Sequence, residues 1–233
     1  MPVLQRISLT LILIAVLGGC SSLPEGIDHP TEPPTSPAPS TLSVLTNEFQ
    51  PEALEHGTTA VRLQESGWDA LAQRLALVES AEHTIDIQYY IWNSDESGRY
   101  LASRLLAAAD RGVKVRVMLD DINLNEREGL LSALDAHPNV EIRIFNPTPT
   151  RRGFSKWLSF VGDFSRLNRR MHNKSFTVDG TLSVVGGRNI GNEYFSNNTD
   201  VEFGDFDLMA IGTAVDEVSD QFDLYWNAPL TVE

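Results

Sequence analysis

Between Ser66 and Phe145 the apolar residues change their spacing three times in the same order. Leu71, Leu75 and Val78 recur at helical spacing behind Ser66-Gly67-Trp68-Asp69, a serine followed three residues later by an acid, which predicts a capped helix to about Ala81. Ile85, Ile87, Tyr89 and Ile91 then alternate with Asp86, Gln88, Tyr90 and Trp92, the period of a strand. A second helix is expected from a cap within Ser94 to Ser97, through Leu101, Leu105, Leu106 and Ala109, to Gly112. A strand over Val113 to Leu119 follows. The third round is a helix near Glu126 to Ala136 and a strand from Val140 to Phe145. Such alternation predicts an α/β layered fold with parallel neighbouring strands. Asp120-Asp121 falls at the carboxyl end of the second strand, where such folds place functional groups, although a turn or helix cap accounts for the pair equally well.

Ahead of this region stand two segments of different character. Arg6, the apolar run Ile7 to Val16 and Leu17-Gly18-Gly19-Cys20 have the form of a lipoprotein signal over residues 1–19, with Cys20, the single cysteine, as the lipidation site. An ordinary signal peptide or short anchor is the plainer alternative. Ser21 rather than Asp after the cysteine resembles Gram-negative lipoproteins of the outer membrane, and implies a domain facing the periplasm. Six of the 12 prolines lie between Pro24 and Pro39, so residues 20–45 are expected to form an extended tether and residues 46–233 one domain.

The formal charge of −14 argues against a general nucleic-acid coat. Yet eight of the 18 basic residues (Arg151, Arg152, Lys156, Arg166, Arg169, Arg170, Lys174 and Arg188) fall between 151 and 188, against only Asp163 and Asp179. That asymmetry suggests a site for an anionic group, or more simply a solvated basic loop. Phe154, Trp157, Leu158, Phe160 and Phe164 interleave with these charges, as in a lip for lipid headgroups or a loop pinned to the core.

Within this region Met171-His172-Asn173-Lys174-Ser175-Phe176-Thr177-Val178 reads as a strand with His172 and Lys174 on one face. Asp179-Gly180 is a two-residue hairpin signal, and a turn there pairs Val178 with Thr181, Lys174 with Val185 and His172 with Gly187. Gly186 and Gly187, lacking side chains, would let a phosphate approach the backbone, and Asn189 could reach it with its amide. Asp179, judged alone, is as much a turn residue as a functional one.

His172-x-Lys174-x-x-x-x-Asp179, followed by Gly186-Gly187-x-Asn189, resembles the signature of the phospholipase D superfamily. Gln88-Tyr89-Tyr90-Ile91-Trp92 and Gly186-Gly187-Arg188-Asn189-Ile190-Gly191 look like the bacterial cardiolipin synthase branch, especially its exported members. The resemblance implies a layered α/β/α domain with a mixed, partly parallel sheet, and a phospholipid substrate attacked by a histidine to give a phosphohistidine, with neither metal nor cofactor. Carried over, His172 is nucleophile or acid–base partner, Lys174 and Asn189 hold the non-bridging oxygens, and Asp179 orients an imidazole. Most relatives carry two such motifs in one chain. This sequence has one, so the resemblance implies one half of a two-half enzyme, either truncated and inactive alone or completed by a homodimer or a C-terminal half; the alternatives are a homodimeric phosphodiesterase acting on nucleic acid and a module that binds anionic headgroups without turnover. A last helix, capped by Thr213, is expected through Trp226.

Overall fold

The computed structural model describes residues 39–49, 57–124, 128–148, 168–197 and 201–233. In chain order these form α1 (Thr41–Phe49), β1 (Thr59–Gln64), α2 (Gly67–Ser80), β2 (Thr84–Tyr89), α3 (Glu96–Asp110), β3 (Lys114–Asp120), α4 (Glu128–Asp135), β4 (Val140–Phe145), β5 (Ser175–Val178), β6 (Leu182–Gly186), β7 (Asp207–Gly212), α5 (Thr213–Trp226) and β8 (Thr231–Val232). Cys20, the signal and most of the tether lie outside the described residues, as do Arg151, Arg152, Lys156 and Arg166 with their neighbouring aromatics.

The strands make one mixed sheet in the order β1-β7-β6-β5-β2-β3-β4-β8, with β2, β3 and β4 parallel and every other pair antiparallel. Its apolar residues sort by parity. Ile85, Ile87, Val115, Val117, Val140, Ile142, Phe176 and Val184 join residues of α2, α3 and α4 in the larger core. Met118, Phe145 and Met171 face Phe222 and Trp226 of α5 in the smaller one. Helices α2, α3 and α4 on one face of the sheet and α5 on the other give the α/β/α arrangement that the family resemblance implies.

Local signals agree with the observed ends. Ser66 caps α2 by accepting from the Asp69 amide at 3.3 Å, and Asp95, within the expected span, caps α3 through the Gly98 amide at 3.0 Å. Gly112, at φ 98°, supplies the left-handed turn into β3. Thr213, expected as a cap, is instead the first residue of α5, and the helix start is held from β1, where Thr59 Oγ1 accepts from the Ala214 amide at 3.0 Å. Helix α1 crosses the boundary expected at 45/46. Ser40 caps it, Thr41 bonds the Glu82 carboxylate, and Leu42 packs on the larger core, so the fold begins inside the proline-rich composition.

The polar positions of β2 are not solvent-facing, because the strand lies mid-sheet with both faces covered. Asp86 is paired bidentately with Arg116, which also reaches Asp223 of α5 at 2.7 Å and lies over the Phe222 and Trp226 rings. Burial nevertheless pushes the Asp86 carboxyl above its usual range, against the pull of Arg116.

Candidate active site

His172, Lys174 and Asn189 converge at the carboxyl end of the parallel strands. The segment Met171–Lys174 enters β5 beside the end of β2, Tyr90 follows β2, Asp120 ends β3, and Asn189 follows β6. This is where an open α/β sheet presents its loops to a ligand.

His172 is exposed and Lys174 is buried directly behind it. Lys174 Nζ donates to the His172 carbonyl oxygen at 2.8 Å and lies 3.4 Å from His172 Nδ1, so the expected shared face is present. The imidazole packs on the Tyr90 ring, with centroids 4.7 Å apart and planes tilted by 55°; Lys174 Nζ stands 5.6 Å from the same centroid. Burial lowers the Lys174 ammonium below the usual lysine range, and Asp205 opposes this from a distance. Among the described residues it makes no ion pair.

Asn189 is fixed by its oxygen. Because Ile91 N donates to it at 3.0 Å, the contacting atom is Oδ1, and Nδ2 remains as a donor with no protein acceptor among the described residues. Backbone bonds from Ile190 N to Ile91 O and from Asn93 N to Ile190 O extend β2 and the segment after β6 side by side, which holds the amide in place. A buried ammonium without a carboxylate and a fixed unpaired amide donor are complementary to an anion.

Three expectations need correction. Asp179 is not near the imidazole. It sits at the far end of the hairpin, buried, where Oδ1 accepts from the His83 and Thr84 amides at 2.8 and 2.9 Å and Oδ2 from the Glu82 amide at 3.1 Å. Its turn role prevails because the left-handed conformation of Asp179 and Gly180, φ 51° and 56°, aims the carboxylate at the loop before β2. The register is the second. The turn closes from Thr181 N to Val178 O at 2.9 Å, but Thr181 is an extra residue, so Val178 pairs with Leu182 and Ser175 with Val185. Every residue of β6 is therefore one place later than the two-residue turn predicts.

Gly186 and Gly187 are the third. Their amides are committed to Lys174 O at 3.4 Å and Phe206 O at 3.1 Å. A Cβ at Gly186 would strike the Asp207 carboxylate and the Phe206 carbonyl, and one at Gly187 the Asp205 carboxylate. These glycines admit the chain before β7, not a phosphate.

Asp120 and Asp121, expected as functional groups or as turn or cap residues, bear on the site mainly as structural ones. Asp120 accepts from the Ile122 amide at 2.9 Å, from the Met171 amide at 2.9 Å and from Arg170 Nη1 at 3.2 Å, so it both caps a short helical turn and clamps the backbone next to His172. Asp121 accepts from the Thr148 amide at 2.8 Å. Burial raises the Asp120 carboxyl, opposed by those amides and Arg170. Arg188, counted with the basic field, is buried: it bonds the Gln64 and Glu65 carbonyls and lies 3.6 Å from Asp207, which also pairs with buried Arg74 at 2.8 Å.

The remaining described histidines lie elsewhere. His83 and His137 precede β2 and β4 at the opposite end of the sheet, and His29 and His56 fall outside the described residues.

Residues 75–226 match the family model described as cardiolipin synthase, PLD-like domain. Cardiolipin synthase C of Escherichia coli (strain K12) is 55% identical over 162 residues, 70% of this chain and 34% of that protein. An uncharacterized protein of Helicobacter pylori (strain J99) is 36% identical over 227 residues, 95% of this chain and 44% of the relative. The chain thus spans between a third and a half of these relatives. Among solved structures, NucT from Helicobacter pylori superposes with a TM-score of 0.54 at 19% identity, covering 72% of this chain and 95% of that one. The phosphatidylserine synthase of Haemophilus influenzae Rd KW20 superposes with a TM-score of 0.56 at 16% identity, over 72% and 37%. With the fold, the motif spacing and the matched family in agreement, the chain belongs to the phospholipase D superfamily, in its cardiolipin synthase-like branch.

Proposed function

We propose that this chain contributes one half-site of a phospholipid phosphodiesterase or phosphatidyltransferase that works through a phosphohistidine. The observation that carries this reading is Lys174 Nζ held against His172 with no ion pair among the described residues, beside the Asn189 amide donor, which has no acceptor among them. An imidazole nitrogen of His172 would form a bond to phosphorus while the ester P–O bond breaks, the leaving oxygen taking a proton from a second imidazole. An alcohol or water would then attack phosphorus, return its proton to that imidazole and break the P–N bond. Lys174 and Asn189 would hold the non-bridging oxygens, whose charge grows toward the phosphorane.

The second imidazole has no candidate at this end of the sheet among the described residues, so turnover requires a second copy or a second half. Membrane attachment through a lipid on Cys20, at the outer membrane facing the periplasm, belongs to the same proposal and rests on residues 1–20 of the sequence. Among the described residues no helix is long and apolar enough to cross a membrane.

Incubation with labelled phosphatidylglycerol, and separately with DNA, with the mass in solution measured in parallel, tests the reading. Phosphohistidine trapped from lipid on a dimer or reconstituted pair supports it. Cleavage of DNA alone would replace it with a nuclease, and headgroup binding without turnover in either assembly would replace it with a binding module.

A further inference from the structure

The chemistry above uses His172, Lys174 and Asn189 but leaves Tyr90 without a role, although its ring touches the imidazole and lies close to the ammonium. We infer that Tyr90 is a positioning residue whose ring keeps Lys174 and His172 together in the absence of an anion; the inference rests on the phosphate-binding reading of this site.

Lys174 is buried and has no ion pair among the described residues, so before a phosphate arrives the groups that touch its charge are the His172 carbonyl and the negative face of an aromatic ring, with the Asp205 carboxylate acting only from a distance. The same ring supports the imidazole at 4.7 Å in a tilted contact. Any proton on the imidazole would add a second cation beside the first, and a polarisable ring bordering both opposes their separation.

Tyr90 is aimed by its neighbours. Tyr89 is buried with its hydroxyl accepting from Arg74 Nε at 3.0 Å, and the Ile91 amide is tied to Asn189 at 3.0 Å, so the backbone is held on either side of Tyr90. The charges that act on the Tyr90 hydroxyl are Asp120 and Arg170, not Lys174. Burial first and Asp120 second raise this phenol, which keeps it protonated. The ring, rather than the hydroxyl, therefore serves His172 and Lys174.

Tyr90→Phe should preserve the effect and Tyr90→Leu should abolish it. The probe is orthovanadate, binding measured by calorimetry, with Lys174→Ala as the control for the site and the thermal midpoint as the control for folding. Wild type and Tyr90→Phe should agree within about threefold, and Tyr90→Leu should bind about tenfold more weakly, the order of a desolvated cation–ring contact. Lysine ammonium titration by NMR supplies a readout independent of binding. In Tyr90→Leu, loss of the ring's negative face should move the Lys174 titration further below the ordinary lysine value, while Tyr90→Phe leaves it unchanged. Unaltered titration in a folded Tyr90→Leu protein overturns the inference, as does a Tyr90→Phe protein that behaves like Tyr90→Leu. Vanadate binding that is absent in wild type, or present but unaffected by Lys174→Ala, overturns the phosphate reading instead, and the Lys174 titration still decides the case of Tyr90.

Discussion

Lys174 Nζ donates to the backbone carbonyl of His172, two residues before it, at 2.8 Å, so the cation is tethered to the main chain that presents the imidazole. Loss of either side chain should reduce or remove turnover without unfolding the protein. In an assembly that turns over, His172→Ala is expected to abolish activity and Lys174→Ala to reduce it by about a hundredfold or more, as removal of a preorganised anion-stabilising donor does. Assays of phosphohistidine formation and turnover check both; wild-type rates in either variant would sink the mechanism.

The buried ammonium also predicts opposite pH slopes for binding and stability. Because burial lowers the Lys174 titration, the folded protein loses this proton before the unfolded chain does. Phosphate or vanadate binding should weaken as pH rises through the lowered value. Stability should rise over the window from there to the ordinary lysine value, since the unfolded chain binds more protons throughout it. Lys174→Met should remove both slopes and raise the thermal midpoint at neutral pH, as replacement of an unpaired buried charge allows. Denaturant titrations at several pH values beside binding isotherms measure the two.

Asp179 should behave as a structural residue. Asp179→Ala strands the Glu82, His83 and Thr84 amides and should cost about 2–4 kcal/mol by chemical denaturation. Asp179→Asn keeps one acceptor oxygen and should cost less. Vanadate affinity of the remaining folded protein should be unchanged; a loss of binding without a loss of stability would restore Asp179 to the site.

The two glycines should differ. Gly186→Ala meets the Phe206 carbonyl, which is backbone, whereas Gly187→Ala meets the Asp205 side chain, which can swing away. Gly186→Ala should cost about 1–3 kcal/mol and Gly187→Ala distinctly less. Equal costs, or a loss of anion binding confined to Gly187→Ala, would contradict the packing explanation.

Asp120 should couple stability to the geometry of His172. Asp120→Ala removes the acceptor of the Met171 amide and leaves Arg170 with fewer partners, at about 1–3 kcal/mol, and should weaken vanadate binding although Asp120 does not face the anion. Because its carboxyl is raised by burial, the stability that protonation contributes is present below the ordinary aspartate value and lost as pH rises through the raised one. A pH series comparing wild type with Asp120→Asn should show that slope in wild type alone.

Much of the architecture was legible because it rests on local rules. Helical and strand periods located α2, α3, α4 and β2 to β4 to within a few residues, and Ser66 and Gly112 marked helix ends by their own side-chain and backbone chemistry. Strands β1, β7 and β8 were not legible. The short alternation Val61-Arg62-Leu63-Gln64 in β1 turns its apolar residues to solvent at a sheet edge, and β8 has only two residues, so neither marks a buried face.

By itself the sequence determined which side chains could serve a phosphate and that His172 and Lys174 share a face, because strand parity and motif spacing need no tertiary partner. Only the tertiary structure decided what each nearby group is free to do. Asp179 is committed to three amides from the loop before β2, Gly186 and Gly187 to the chain before β7, and Arg188 to Asp207. Asn189 retains Nδ2 because Ile91 takes its oxygen, and Tyr90 meets the imidazole because β2 lies beside β5. Spacing along the chain places a group near others, but a hydrogen-bonding atom has few partners, and distant segments claim them when the sheet forms.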